Sequence, residues 1–245
     1  MMRTTQLVRG RPRCAIVAVA IFTLPMVMWS HEAGGSSSTA VATLEAALTN
    51  ASHAGWTHET SKITYKGAVV GLEEGDIGTN EGVQVTEVGG SGTVSIITFP
   101  SKGLAYVNSS ALGLTKQLGF SSTLATRFAN KWLLMKSNNS KFKTVVSGTT
   151  LASDFSLTVR FTGTLSEGAV SKLAGIPVRT ITGAVPANLG LPAGAGQLYV
   201  SATGTLLPVA LKEVRGNVTM LTTWTSWGHN PHTPIPTTTF PFPLA

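Results

Sequence analysis

The sequence predicts an α+β fold in one domain, with antiparallel strands on either side of a helical middle. Polar and apolar residues alternate with period two over several short runs, as in strands with one wet face. Glycine or proline breaks these runs about every ten to fifteen residues, the punctuation of neighbours joined by short loops. Between the two groups of runs, the apolar residues take helical spacing instead. Size agrees: about 205 residues follow an N-terminal leader, enough for one domain with its own core. An apolar fraction of 42% with 12% charged residues is that of a packed β-rich chain rather than a disordered one.

The leader is read first. Met1 to Arg13 holds four arginines and no acid, and an apolar run from Ala15 to Trp29 follows. A basic segment ahead of about fifteen apolar residues is the pattern of an export signal, shorter than the roughly twenty residues of a membrane span. Small residues at Ala33-Gly34-Gly35 and Ser38-Thr39-Ala40 suit cleavage between about 35 and 40. The alternative is an uncleaved signal anchor, with the run from Ala33 to Ser38 as a flexible stalk. Either way, the chain is expected to leave the cytoplasm for the cell envelope, on the outer face of the cytoplasmic membrane, or to be secreted. The single cysteine, Cys14, lies in this leader, so the remainder can form no disulfide. It follows Arg-Pro-Arg, where a lipid-attachment site needs small and aliphatic residues.

Residues 1–40 are thus signal or anchor plus stalk, 41–228 the domain, and 229–245 a proline-rich tail. Residues 41–55 predict a helix, with Val41, Leu44, Ala47 and Leu48 at helical spacing, Thr39 as its cap and Gly55 as its end. Residues 62–71 read as a strand, with Ile63, Tyr65, Gly67 and Val69 on one face. Strands follow at 82–88, 92–99 and 103–108, with turns at Gly89-Gly90 and Pro100 to Gly103, giving a four-stranded meander. From Ser109 to Asn130, the spacing of Leu112, Leu114, Leu118, Leu124 and Phe128 predicts one or two helices broken near Gly119-Phe120. A short strand at 131–136 carries Trp132, and a polar stretch turns at Asn138-Asn139-Ser140.

The second half returns to strands. Leu157, Val159, Phe161, Gly163 and Leu165 alternate with polar partners, which predicts a strand over 157–165. Further strands are expected at 174–184, 196–201, 206–214 and 217–226. The tail from His229 has no periodicity and reads as an irregular strap or a disordered end.

Composition excludes several functions. Removing residues 1–40, with four arginines against Glu32, lowers the net charge from +7 to +4. No dense basic stripe with interleaved aromatics remains, so nucleic acid is not an expected partner. The one basic cluster, Arg127, Lys131, Lys136, Lys141 and Lys143, is either a solvated face or a patch for anionic lipid headgroups. Asp76 and Asp154 are the only aspartates, and no serine elbow, phosphate loop or dinucleotide fingerprint occurs. Glu73-Glu74-Gly75-Asp76 lacks the ligand spacing of a calcium loop and reads as a hairpin tip. The histidines His53, His58, His229 and His232 have no cysteine or clustered carboxylate to complete a metal shell. The chain is therefore expected to be no enzyme, with no cofactor and no metal.

Three stretches in this order of elements carry a resemblance: Leu198-Tyr199-Val200 with Thr203-Gly204 and Leu207-Pro208-Val209; Trp224-Thr225-Ser226-Trp227-Gly228; and Asn130-Lys131-Trp132-Leu133. Across about Val41 to Pro236, the chain resembles the actinobacterial envelope lipoproteins of the LppX/LprG type, which share the half-barrel of the LolA and LolB carriers. The resemblance implies a curved antiparallel sheet wrapped around a helical lid. An apolar cavity between them would hold the acyl chains of a lipid, lipoglycan or lipoprotein. Members of that family are typically anchored through an acylated cysteine, which this chain lacks. Val159, Phe161, Leu165, Leu198, Val200, Val209, Leu211 and Met220 are the candidates for the ligand-lining face. The same residues suit an ordinary closed core equally well, in which case the domain serves as an envelope structural or protein-interaction module.

Overall fold

The computed structural model describes residues 38–188 and 190–243; the leader up to residue 37 lies outside the described residues. The chain opens with helix α1 (Ser38–His53), which buries Ala40, Leu44, Ala47 and Ala51. Their three- and four-residue spacing puts them on one face of the helix. Thr39 is therefore a helical residue, not the cap expected of it. Gly55, at φ +82°, turns the chain into the sheet, a conformation that costs glycine little.

Six strands follow in a meander: β1 (Trp56–Tyr65), β2 (Ala68–Gly78), β3 (Gly82–Val88), β4 (Gly92–Phe99), β5 (Leu104–Ser109) and, after two helices, β6 (Leu133–Lys136). The helices are α2 (Ala111–Lys116) and α3 (Ser122–Phe128), each capped by a serine, Ser110 or Ser121, whose side chain accepts a first-turn N–H. Then come α4 (Phe142–Val146) and α5 (Leu151–Thr158). A second meander runs β7 (Thr162–Glu167), β8 (Ser171–Leu173), β9 (Ile176–Val185), β10 (Gly194–Ser201), β11 (Pro208–Arg215) and β12 (Val218–Thr225). The tail ends in the two-residue strand β13 (Phe240–Pro241).

All of these strands join one thirteen-stranded sheet, in the order β13-β6-β5-β4-β3-β2-β1-β12-β11-β10-β9-β7, with β8 on β9. The two meanders meet where β1 pairs antiparallel with β12, from His58 opposite Thr225 to Tyr65 opposite Val218. The described chain is thus an α+β fold built on one open, curved, half-barrel sheet with five helices.

The inner face carries two apolar clusters at opposite ends. One packs α1 and α5 onto the second meander and includes Leu44, Leu151, Phe155, Ile181, Leu198, Leu211 and Trp224. The other packs α2, α3 and α4 onto β4, β5 and β6, with Leu114, Phe120, Phe142 and Phe242. A third, smaller group of Ile97, Phe99 and Tyr106, with Trp132 and Leu134 beside it, lies on the opposite face of β4 to β6.

Four sequence readings are corrected. Residues 62–71 do not form one strand: Lys66 and Gly67, at φ +50° and +84°, make a hairpin turn between β1 and β2. Two consecutive positive φ values are the signature of the tight turn whose twist suits antiparallel neighbours. Glu73 to Asp76, read as a hairpin tip, lies in the middle of β2 instead. Residues 157–165 are split between the end of α5, an irregular link and the start of β7. Thr150 caps α5 through a reciprocal hydrogen-bonded box with Ser153, and Leu151, Asp154 and Phe155 face inward at helical spacing. The short strand at 131–136 begins only at Leu133, which leaves Trp132 just ahead of it.

Candidate functional site

Six of the eight predicted lining residues come together. Val159, Phe161, Leu165, Leu198, Val200 and Leu211 belong to the cluster under α1 and α5, each at most 5% exposed. Phe161 lies flat against the sheet because the strands beneath it are bare: Gly183 and Gly196 are direct cross-strand partners. A Cβ on either would stand 2.8 or 2.7 Å from its ring. Val159, expected in a strand, is instead the C-cap of α5, its N–H bonded to Phe155 O. The other two stand apart from this cluster. Val209 is the extra residue of a bulge, since Tyr199 pairs with Ala210 and Val200 with Pro208. Met220 is half-buried on β12, opposite Ile63 and Glu213.

Where β1, β2 and β12 meet α5, the inner face turns polar. Glu59, in phase with Thr57 and Ser61 on β1, points inward and is 5% exposed. Its Oε1 accepts from Ser61 Oγ at 3.1 Å and its Oε2 from Trp224 Nε1 at 3.2 Å. Asp154 on α5 comes down onto it within hydrogen-bonding reach. Its Oδ1 accepts from Thr158 at 2.8 Å, while Oδ2 meets no N–H or O–H donor among the described residues. A proton held on one of the two acids is what can join them. Glu73 on β2 completes the group, accepting from Gln84 Nε2 at 2.7 Å.

All three acids are shifted upward. Burial raises Glu59 well above the usual carboxylate range, and the charge of Asp154 adds to the rise. Burial pushes Asp154 up to about 7, against hydrogen bonds with Glu59 and Thr158 that lower it. Burial likewise pushes Glu73 up to about 7, with the charge of Glu59 adding. The physical reason is common to all: a carboxylate charge loses its hydration inside the protein, and among the described residues no cation contributes to offset it. Sequence reasoning missed the group. Each strand contributes a single inward acid, Glu59 between Thr57 and Ser61 on β1 and Glu73 in phase with Gly75 and Ile77 on β2, so no repeating pattern marks the group.

The other buried charges are paired. Arg215 Nε donates to Glu213 Oε2 at 2.8 Å, both about 5% exposed. Arg179 Nη1 and Thr43 Oγ1 both donate to Glu167, each at 2.7 Å, which ties α1 to β7 and β9. On the outer face, His58 Nδ1 lies 2.8 Å from Asp76 Oδ1. No group of three metal-ligating side chains occurs among the described residues, and none of their helices is long and apolar enough to cross a membrane.

Open space lies at the far end, around the tail. One cleft of about 440 Å³ is bounded by Leu134, Met135, Lys136, Asn139 and Phe242. Another of about 180 Å³ is bounded by Phe120, Leu124, Lys141 and Phe242. Most of the predicted basic cluster gathers here. Lys136 and Lys141 flank Phe242, Lys131 Nζ sits 5.1 Å over the Phe240 ring, and Arg127 lies over Phe128. Lys143 is exposed on α4.

This architecture has solved counterparts. LprF from Mycobacterium bovis superposes with a TM-score of 0.53 at 10% identity, over 83% of this chain and 99% of that one. The Mycobacterium tuberculosis lipoprotein LppX superposes with a TM-score of 0.51 at 16% identity, over 80% and 99%. The fold is the LppX and LprF half-barrel. No family model and no curated protein sequence matches the chain. Identities this low establish a shared architecture. Similarity to LppX and LprF therefore places the helices and the inner face, and the chemistry of the site rests on the residues above.

Proposed function

We propose that the protein is an exported, non-catalytic carrier of the cell envelope that holds acyl chains between the sheet and its helical layer. The observation that supports this most directly is the form of that layer. α1 and α5 cover the second meander through apolar side chains, with polar ties such as Thr43 to Glu167 and Asn50 to Leu206 O. Helices held this way, by side chains rather than by a ladder of backbone hydrogen bonds, can lift from the sheet in a local opening. A hydrocarbon chain taken beneath them gains about 0.8 kcal/mol per buried methylene, so a long tail recovers what the lost helix contacts cost. Lining falls to Val159, Phe161, Leu165, Leu198, Val200, Val209, Leu211 and Met220, and the basic cluster from Arg127 to Lys143 meets the membrane surface. The helical position of Ser38 to Ala40, with Ala40 fully buried, favours leader removal at Ala33-Gly34-Gly35.

A specific observation supports a second reading. No buried side chain of the cluster under α1 and α5 is more than 8% exposed, and the two clefts described lie at the other end of the sheet. A filled module that contacts envelope proteins fits that packing. Native mass spectrometry of protein purified from membranes separates the two. A carrier shows added lipid mass, which Val159→Trp and, at the less crowded position, Met220→Trp reduce while the domain stays folded. A ligand-free spectrum for the wild type overturns the carrier reading.

A further inference from the structure

The tail is held in an unusual way. After β12 the chain crosses the molecule and pairs parallel with β6, the edge of the sheet, through Phe240 N to Trp132 O and Phe242 N to Leu134 O, both 2.9 Å. The pairing is only two residues long; Phe240 and Phe242 turn their N–H groups to β6, and Pro241 and Pro243 take the alternate positions, where an N–H would point outward, so the strap offers no donor there to a further strand. What seats the strap is Phe242, 6% exposed, its ring 5.1 Å from Phe120 and edge-on to it. That ring forms a wall of both clefts. Met135 lines one cleft and Phe120 and Leu124 line the other, so all three lie beside the space that this ring occupies.

The charge around these clefts has one sign. No acid occurs between Glu87 and Asp154, or after Glu213, so the segments that build them contribute cations only. Lys136 stands at the mouth of one cleft and Lys141 at the other. Lys141 Nζ spends one donor on Leu118 O at 2.8 Å, which leaves the ammonium two more. An apolar trough with lysines at its rim suits a molecule with one hydrocarbon tail and an anionic head.

We propose that the C-terminal strap is a displaceable plug, and that the space filled by Phe242 receives the tail of an anionic single-chain amphiphile whose head group pairs with Lys136 and Lys141. This rests on the carrier reading and gives it an entry point, at the end of the sheet where the basic residues gather and away from the buried cluster under α1. The strap competes with the ligand, so the apparent affinity of the intact chain is reduced by the fraction of time the plug is seated.

Oleate serves as the probe, with oleyl alcohol as the uncharged control, on the exported chain, on a chain ending at Thr239, and on Phe242→Ala. Both variants are expected to bind oleate about tenfold more tightly or better than the wild type. Lys136→Ala with Lys141→Ala removes the preference for oleate over the alcohol. A 4-fluorophenylalanine at position 242 of the otherwise intact chain reports the plug directly, its ¹⁹F resonance moving to an exposed value as oleate is added. Equal or weaker oleate binding by both folded variants, or a ¹⁹F signal that does not move when oleate binds, overturns the plug. If the wild type carries lipid mass while the strap changes do nothing, the plug alone fails. If no form of the chain binds either probe or carries lipid, the carrier reading fails with it.

Discussion

Raising the pH from 5 to 8 should loosen this domain, because Asp154 and its neighbours hold protons in the folded state that an unfolded chain has already released. The sign follows from linkage: a carboxyl raised by folding contributes stability that is complete below its ordinary value and is lost as pH climbs through the raised one. For Asp154 the window runs from 3.8 to about 7. At about 1.4 kcal/mol per pH unit, that is on the order of 4 kcal/mol in all, of which about 3 kcal/mol falls between pH 5 and 8. A domain of about 200 residues shifts its melting temperature by roughly 2–4 °C per kcal/mol, so Asp154 alone should lower the midpoint by about 6–12 °C across that range, and Glu59 and Glu73 act in the same direction. Differential scanning calorimetry in buffers of matched ionic strength measures it. Asp154→Asn keeps the shape, supplies an N–H to Glu59 and removes the titrating group, so its midpoint should fall less steeply and exceed that of the wild type at pH 8. A midpoint that is flat or rises from pH 5 to 8, or an Asp154→Asn variant with the wild-type slope, refutes the reasoning.

Other outcomes follow from the packing. Phe155 lies between Trp224 and Trp227, with ring centroids 5.1 and 6.1 Å away; Phe155→Ala should cost about 3–5 kcal/mol in urea unfolding and change the tryptophan near-ultraviolet signal. Gly196→Val drives a side chain into the Phe161 ring, an overpacking expected to cost about 1–3 kcal/mol, and the same change at exposed Gly168, where an added Cβ meets nothing nearer than 3.7 Å, serves as a control for the glycine itself. Thr150→Ala removes the box that starts α5 and should cost about 0.5–2 kcal/mol, with hydrogen-exchange protection lost first in residues 151–158.

Much of this fold is legible because its strands are wet on one side. The runs at 82–88 and 92–99 match β3 and β4 to the residue, and Gly119, at φ +72°, separates α2 from α3 at the expected break. Legibility fails where two patterns compete. Leu157, Phe161 and Leu165 satisfy period two and a four-residue spacing at once, and the Thr150 cap decides in favour of helix for the first of them. Lys66 is a poor advertisement for a turn, because a positive φ is expected of Gly, Asn or Asp, so the β1–β2 hairpin reads as one strand. The acid group stays hidden for a different reason: charged residues mark a strand's wet face, and Glu59 and Glu73 sit on the dry one. Sequence does identify six residues that gather under α1 and α5, yet spacing alone cannot separate the wall of a chamber from the middle of a solid core.

The seam between β1 and β12 sets when the molecule can be completed. His58 waits for Thr225, and every rung of that ladder joins residues more than 150 positions apart. Until β12 arrives, β1 offers an unpaired edge of ten residues, the kind of surface that recruits other chains. Closure at such long separation is slow compared with local hairpins, so the nascent polypeptide remains open to proteases and to aggregation until nearly all of it has been delivered.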